Sequence, residues 1–196
     1  MLKYFALCVF SYLIGSLSIS IFASRRILGG DVRMKGSGNA GATNMARVYG
    51  IGPGLLTLLA DMAKAAVTMI VGYKLLGENG LMLSGIFCLT GHCFPAYYNF
   101  RGGKGVSSGA AVAFALDWRI GLIAAAVFAA VAFSSRKVSP GSICAAISIP
   151  VTALLFSLSP QRIVLAVFAA CLVVLRHREN IKRLIAGTES DFKLGK

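Results

Sequence analysis

The sequence predicts an all-α, polytopic membrane protein with seven transmembrane helices, its N-terminus outside and its C-terminus in the cytoplasm. Three observations carry this. Of 196 residues, 57% are hydrophobic and only 14% charged, where a soluble domain carries about 25% charged residues. That apolar mass is too large for the core of one soluble domain of this size. Stretches 4–24, 79–100 and 138–161 hold no charged residue, and each is long enough as a helix to cross about 30 Å of hydrocarbon. The polar remainder is strongly basic, with 20 Lys+Arg against 7 Asp+Glu and a formal net charge of +13, which points to anionic partners.

Spans are expected near 4–24, 52–74, 81–98, 105–117, 119–134, 140–158 and 160–176, forming one integral-membrane domain over 1–196. Barrel strands would alternate polar and apolar residues, so helices are required. The first stretch has only Lys3 before it and Arg25 and Arg26 after it, the wrong charge order for a cleaved signal peptide. It is read as a retained span. The region 105–134 is ambiguous, because Asp117, Trp118 and Arg119 interrupt it and leave either one tilted helix or two short ones.

Charge placement decides between them, since cytoplasmic loops collect Lys and Arg. Seven crossings put Arg25, Arg26, Arg33, Lys35, Arg47, Arg101, Lys104, Arg136, Lys137, Arg176, Arg178, Lys182, Arg183, Lys193 and Lys196 inside, against Lys3, Lys74, Arg119 and Arg162 outside: fifteen to four. Six crossings would leave eight inside and ten outside. Five cysteines, Cys8, Cys88, Cys93, Cys144 and Cys171, form no CxxC pair, so neither a disulfide framework nor a zinc site is expected. They read as packing residues.

Four polar segments carry the candidate chemistry. The first, Gly36-Ser37-Gly38-Asn39-Ala40-Gly41-Ala42-Thr43-Asn44 followed by Arg47, contains G-x-G-x-x-G. A dinucleotide fingerprint needs a strand before it and a βαβ unit around it, whereas here a charged loop precedes it and Asp61 falls inside a span. What survives is an anion nest: glycines turn successive N–H groups inward, hydroxyl and amide groups add donors, and Arg47 adds charge. The bland alternative is a polar loop whose glycines make turns.

The second segment holds Gly91-His92-Cys93-Phe94-Pro95 and then Gly102-Gly103-Lys104-Gly105-Val106-Ser107-Ser108. Glycines around a lysine suggest phosphate binding. It is not a Walker A loop, because Gly105 rather than Ser or Thr follows Lys104. His92 fits a structural hydrogen bond at least as well as a chemical role. The third, Ser134 to Ser142, is a short basic loop in which Ser139 before Pro140 fits an N-cap, leaving Ser142 free to face a ligand. The fourth, Arg176-His177-Arg178-Glu179-Asn180-Ile181-Lys182-Arg183, carries His177 and Asn180 on one face if the helix continues. The charge count puts all four segments on the cytoplasmic side, so one composite site is geometrically possible. Within the second span, Asp61 and Lys64 share a helix face. They are read as a neutralising packing pair, with a functional role as the alternative.

Together these four ordered motifs resemble the bacterial acyl-phosphate:glycerol-3-phosphate acyltransferases, over essentially the whole chain. The resemblance implies an integral protein of the inner membrane with its site on the cytoplasmic side. It implies transfer of a fatty acyl group from acyl phosphate to the 1-hydroxyl of sn-glycerol 3-phosphate, giving lysophosphatidic acid and inorganic phosphate. Ser37, Arg47, Lys104, His177 and Asn180 are the implied catalytic residues, and Gly38, Asn39, Gly41, Thr43, Asn44, Gly102, Gly103, Gly105 and Ser142 the implied substrate-binding ones, Ser142 being the loosest match. Membrane lipids are the surroundings; no metal, cofactor, nucleic acid or obligate protein partner is implied. Other glycerolipid acyltransferases use His-x4-Asp, but the fifth residue after His92 is Tyr97 and after His177 is Lys182, so a different mechanism is expected. Because acyl phosphate is already activated, the attacking hydroxyl's proton goes either to His177 or to a substrate phosphate, and the second is favoured.

Overall fold

The computed structural model describes residues 1–191, so Lys193 and Lys196 of the charge count lie outside the described residues. The described chain is helical, without a strand: α1 (Leu2–Ser16), α2 (Ile19–Arg26), α3 (Ala42–Tyr49), α4 (Ile51–Cys93), α5 (Val106–Leu116), α6 (Trp118–Ser135), α7 (Val138–Leu155), α8 (Pro160–Arg176) and α9 (Arg178–Ile185), with 3-10 turns at Val32–Met34 and Ala96–Tyr98.

The expected first span is broken. Leu17 is extended and the Ser18 hydroxyl caps α2 by accepting from the Ile21 amide, which frees the Leu17 carbonyl from the helical ladder. The second and third expected spans are the two arms of α4. Leu76 and Gly77 leave helical geometry there, Gly77 at φ +59, a conformation glycine adopts without a Cβ penalty. The arms fold back so closely that a Cβ on Gly72 would overlap the Gly80 carbonyl and the Ser84 hydroxyl. The third expected span, 81–98, ends early: α4 stops at Cys93 because Phe94 precedes Pro95, and the residue before proline is pushed away from helical torsions. The ambiguous region 105–134 resolves into two helices. Asp117 is extended and its carboxylate accepts from the Arg119 amide at 2.8 Å, ending α5 and capping α6 in one residue.

The helices surround a core of Met69, Leu81, Cys88, Leu89, Val112, Leu116, Ile120, Ile149 and Leu165. Small residues bring backbones into contact, as membrane helices require: Gly15 of α1 meets the Cys88 backbone, and Gly91 meets the Tyr12 carbonyl. The outer surface is apolar, with Leu55, Leu59, Ile70, Val151, Leu154 and Val164 all exposed. Leu2–Arg26, Ile51–Tyr98, Trp118–Ser135 and Val138–Leu155 are long and apolar enough to cross a membrane, as is the bent pair Pro160–Arg176 with Arg178–Ile185. This is an integral-membrane fold. Cys88 and Cys93 are core residues, but Cys144 and Cys171 are exposed, so the packing role expected for all five cysteines holds only for some.

Candidate active site

The first glycine-rich segment is folded around one side chain. Asn44 is 1% exposed; its Nδ2 lies 2.9–3.0 Å from the carbonyls of Val32, Lys35 and Asn39, and its Oδ1 accepts from the Ser37 amide at 2.9 Å. Asn44 thus spends its amide on shaping the loop. Gly36 and Gly38 take positive φ, +60 and +72, to complete the turn. Asp31 fastens the loop's base: it accepts from Arg33 and Arg25, and the Arg33 hydrogen bonds hold its carboxyl well below the usual range. Arg33 Nη1 also donates to the carbonyls of Tyr98 and Arg101 at 3.0 and 2.9 Å, tying the first loop to the second.

The second loop is fixed from behind. The Gly103 amide donates to the His92 carbonyl at 3.1 Å, the Gly102 amide to the Cys93 carbonyl at 3.3 Å, and Arg176 Nε to the Gly103 carbonyl at 3.2 Å. Lys104 Nζ then reaches the Asn180 Oδ1 at 2.5 Å. Burial lowers its pKa from the ordinary lysine value to about 8, with nearby Arg183, Arg176 and Arg47 adding to the effect and Glu189 opposing it.

Asn180 is turned by a network with no counterpart among the expected site residues. Its Nδ2 donates to Ser139 Oγ at 2.8 Å and to Glu189 Oε1 at 2.7 Å, Ser139 donates to the same Glu189 oxygen, and Arg183 Nε donates to Oε2 at 2.7 Å. Burial pushes the Glu189 carboxyl upward, but these donors outweigh it and the net shift is down. Ser139 is therefore not an N-cap: α7 begins at Val138, with Lys137 as the cap position, and the hydroxyl belongs to this network. Arg183 was hidden in the sequence because basic residues after a final span read as topology signal, and Ser139 and Glu189 because no spacing sets either apart, Glu189 being one of three tail acids with Glu179 and Asp191.

The helix does not continue past His177. α8 and α9 meet there at a 56° bend, and His177 and Asn180 come together through that corner. His177 Nδ1 lies 2.7 Å from the Val173 carbonyl. A carbonyl only accepts, so Nδ1 carries the proton and Nε2 keeps its lone pair. Burial lowers the His177 pKa to about 4, with Lys104 and Arg176 assisting and the Val173 hydrogen bond and Glu189 opposing, so the ring is neutral near pH 7.

These elements enclose a cavity of about 710 Å³. At its polar end stand Ser37, Asn39, Gly41, Thr43, Asn44, Arg47, Lys104, Ser142, His177, Asn180, Arg183 and Glu189; its other end is lined by Leu58, Met62, Phe114, Gly121, Ala124, Phe128 and Ile149. Gly38, Gly102, Gly103 and Gly105 are not among the residues that line it. Ser142 donates its hydroxyl to the Val138 carbonyl at 3.1 Å while lining the cavity. Arg47 makes no hydrogen bond or ion pair among the described residues and faces the same space, an unspent guanidinium suited to an oxyanion. No three His, Cys, Asp or Glu side chains cluster to hold a metal ion among the described residues.

Fold and site together define an integral-membrane protein with a cavity basic at one end and apolar along the other. A family model described as glycerol-3-phosphate acyltransferase matches residues 5–187. Relatives named glycerol-3-phosphate acyltransferase include one from Syntrophotalea carbinolica, 37% identical over 98% of this chain and 100% of its own length, and one from Shouchella clausii, 41% identical over 97% and 96%. The fold is similar to the crystal structure of PlsY (YgiH), an integral membrane glycerol 3-phosphate acyltransferase, in its glycerol 3-phosphate form: TM-score 0.93 at 32% identity, covering 97% of this chain and 96% of that one. A lysophosphatidic acid form of PlsY superposes with TM-score 0.90. The chain belongs to the glycerol-3-phosphate acyltransferase family.

Proposed function

We propose that this protein transfers a fatty acyl group from acyl phosphate to the 1-hydroxyl of sn-glycerol 3-phosphate, releasing lysophosphatidic acid and inorganic phosphate. The observation that carries the reading is the two-ended cavity: Arg47 and Lys104 offer charge to two phosphates at one end, and the small faces of α5, α6 and α7 offer an acyl chain an apolar channel at the other. In the reaction the glycerol oxygen attacks the acyl carbonyl carbon, the carbon–oxygen bond to phosphate breaks, and the hydroxyl proton ends on the departing phosphate. A phosphate with a second pKa of about 6 is a better proton acceptor near neutrality than His177 with its pKa lowered to about 4. On this reading His177 Nε2 accepts a hydrogen bond from a glycerol hydroxyl and orients it, Asn180 aims Lys104 at a phosphate through its Oδ1, Ser37 adds a donor, Ser142 lines the wall with its proton turned to the Val138 carbonyl, and Asn44 keeps the first loop in shape.

The same reading places the chain in the bacterial inner membrane with seven crossings, N-terminus outside and site on the cytoplasmic side. Seven crossings count the arms of α4 on either side of Leu76–Gly77 separately and take the short helix Val106–Leu116 as one crossing. The test is incubation of the purified protein in detergent with radiolabelled glycerol 3-phosphate and palmitoyl phosphate or palmitoyl-CoA. Label should enter lipid with the acyl phosphate and poorly with the CoA ester; label entering only with the CoA ester contradicts the donor assignment.

A further inference from the structure

His92 is a buried side chain that the reaction above leaves idle. It is 5% exposed and lines the cavity beside the Gly102–Lys104 loop. Its Nδ1 stands 3.1 Å from Lys64 Nζ, and that ammonium also reaches Asp61 Oδ1 at 2.8 Å and the Leu17 carbonyl at 2.6 Å, the carbonyl freed by the break between α1 and α2. An ammonium has three protons and no lone pair. Each proton has one acceptor here, so Nδ1 must be one of the three. Asp61 Oδ1 lies 3.4 Å from the same nitrogen, beyond the usual N–H···O range, and does not compete. An imidazole that accepts at Nδ1 is neutral and carries its proton on Nε2.

No described residue accepts from Nε2, and Gly103 packs its backbone close beside it. A Cβ on Gly103 would overlap Nε2 itself. Gly103 does not take positive φ, so its backbone conformation does not call for glycine; the close approach of the imidazole does. The loop cannot slide away to make room for a Cβ, because its amides are held by the His92 and Cys93 carbonyls.

We propose that His92 is a substrate-contacting residue whose neutral Nε2–H donates to a phosphoryl oxygen of a substrate bound beside Lys104, with Asp61 and Lys64 as positioning residues that fix its tautomer. This rests on the phosphate-substrate reading above and gives the intramembrane charged pair a function. A neutral donor also adds a hydrogen bond without adding another cation to Arg47, Lys104 and Arg183.

The protein contains two histidines, so ¹⁵N-histidine-labelled protein in detergent yields two imidazoles, told apart with a His177→Asn variant. His92 should be protonated at Nε2 alone, and that resonance should move when inorganic phosphate is added. A His92 protonated at Nδ1, or an Nε2 resonance unmoved at phosphate concentrations that shift His177, overturns the assignment. This readout needs no turnover, so it is decided separately from whether the wild type makes lysophosphatidate. In kinetics, His92→Phe keeps a ring without the donor and should raise KM for one phosphate substrate about ten- to hundredfold, the affected substrate identifying whose phosphate is bound. His92→Gln restores an N–H donor and should recover most of the loss. Equal losses in both variants, accompanied by equally lowered melting temperatures, would mean that the imidazole only packs.

Discussion

Lys104 Nζ donates to Asn180 Oδ1 at 2.5 Å, joining the glycine-rich loop before α5 to the first turn of α9, 76 residues further along the chain. The amide that receives this bond is oriented by Glu189, which accepts from its Nδ2. Glu189→Ala should therefore lower activity without touching substrate: Asn180 loses its anchor, and a buried amide left unsatisfied costs on the order of 2 kcal/mol. The expected result is a reduced melting temperature in detergent together with a raised KM for glycerol 3-phosphate. An unchanged melting temperature and KM would remove Glu189 from the support of the site.

The pH dependence follows from two basic side chains of the site, Lys104 and His177. Lys104 must be protonated to hold a phosphate, and with its pKa lowered to about 8 kcat/KM should fall as pH rises through that value in the free enzyme. His177 titrates at about 4 when folded and near 6.5 when unfolded. Between these values the unfolded chain binds more protons, so His177's contribution to stability is complete above pH 6.5 and is lost as pH falls toward 4. A Lys104→Arg variant should move the alkaline limb upward, and rate profiles of the two proteins check it.

The apolar channel is lined by one face of α7, from Val138 through Ser142 and Ala146 to Ile149, about 16 Å at helical rise. Gly121 of α6 closes on Phe114, where a Cβ would overlap the ring. Gly121→Leu should therefore penalise long acyl phosphates more than short ones. The ratio of turnover with palmitoyl phosphate to that with lauroyl phosphate should drop severalfold; an unchanged ratio would place the chain elsewhere.

Orientation is tested by a reporter fused after Lys196. The fifteen-to-four charge split predicts activity only for a reporter that works in the cytoplasm, and a reporter active only in the periplasm would contradict it.

Much of this was legible because bilayer constraints are strong. Charge-free stretches and loop charges pointed to helix positions within a few residues, and Asp117, flagged only as an interruption, is the joint between α5 and α6. The stop at Cys93 is signalled in the sequence by Pro95 two residues on; the break at Leu17 was not legible, because it depends on Lys64 meeting the freed carbonyl. Arg47, Lys104, His177 and Asn180 stood out as polar residues set among glycines or in a basic tail. Ser139 and Glu189 did not, since a serine near a helix start and one of two tail glutamates acquire meaning only when the bend at His177 brings Asn180 to Ser139 and Glu189.

In the proposed reaction one cavity brings an acyl phosphate and glycerol 3-phosphate together through Arg47 and Lys104. Its most direct measurement is the simultaneous release of lysophosphatidate and inorganic phosphate by the purified protein, compared with Arg47→Ala and Lys104→Ala. The account predicts one phosphate per lysophosphatidate in the wild type and a loss of about a hundredfold or more in each variant with the fold intact, as expected when a charge-assisted phosphate contact disappears, with Arg47→Lys only partly restored because the planar fork is gone. Near-normal turnover in either alanine variant, or lysophosphatidate formed without phosphate release, would contradict it.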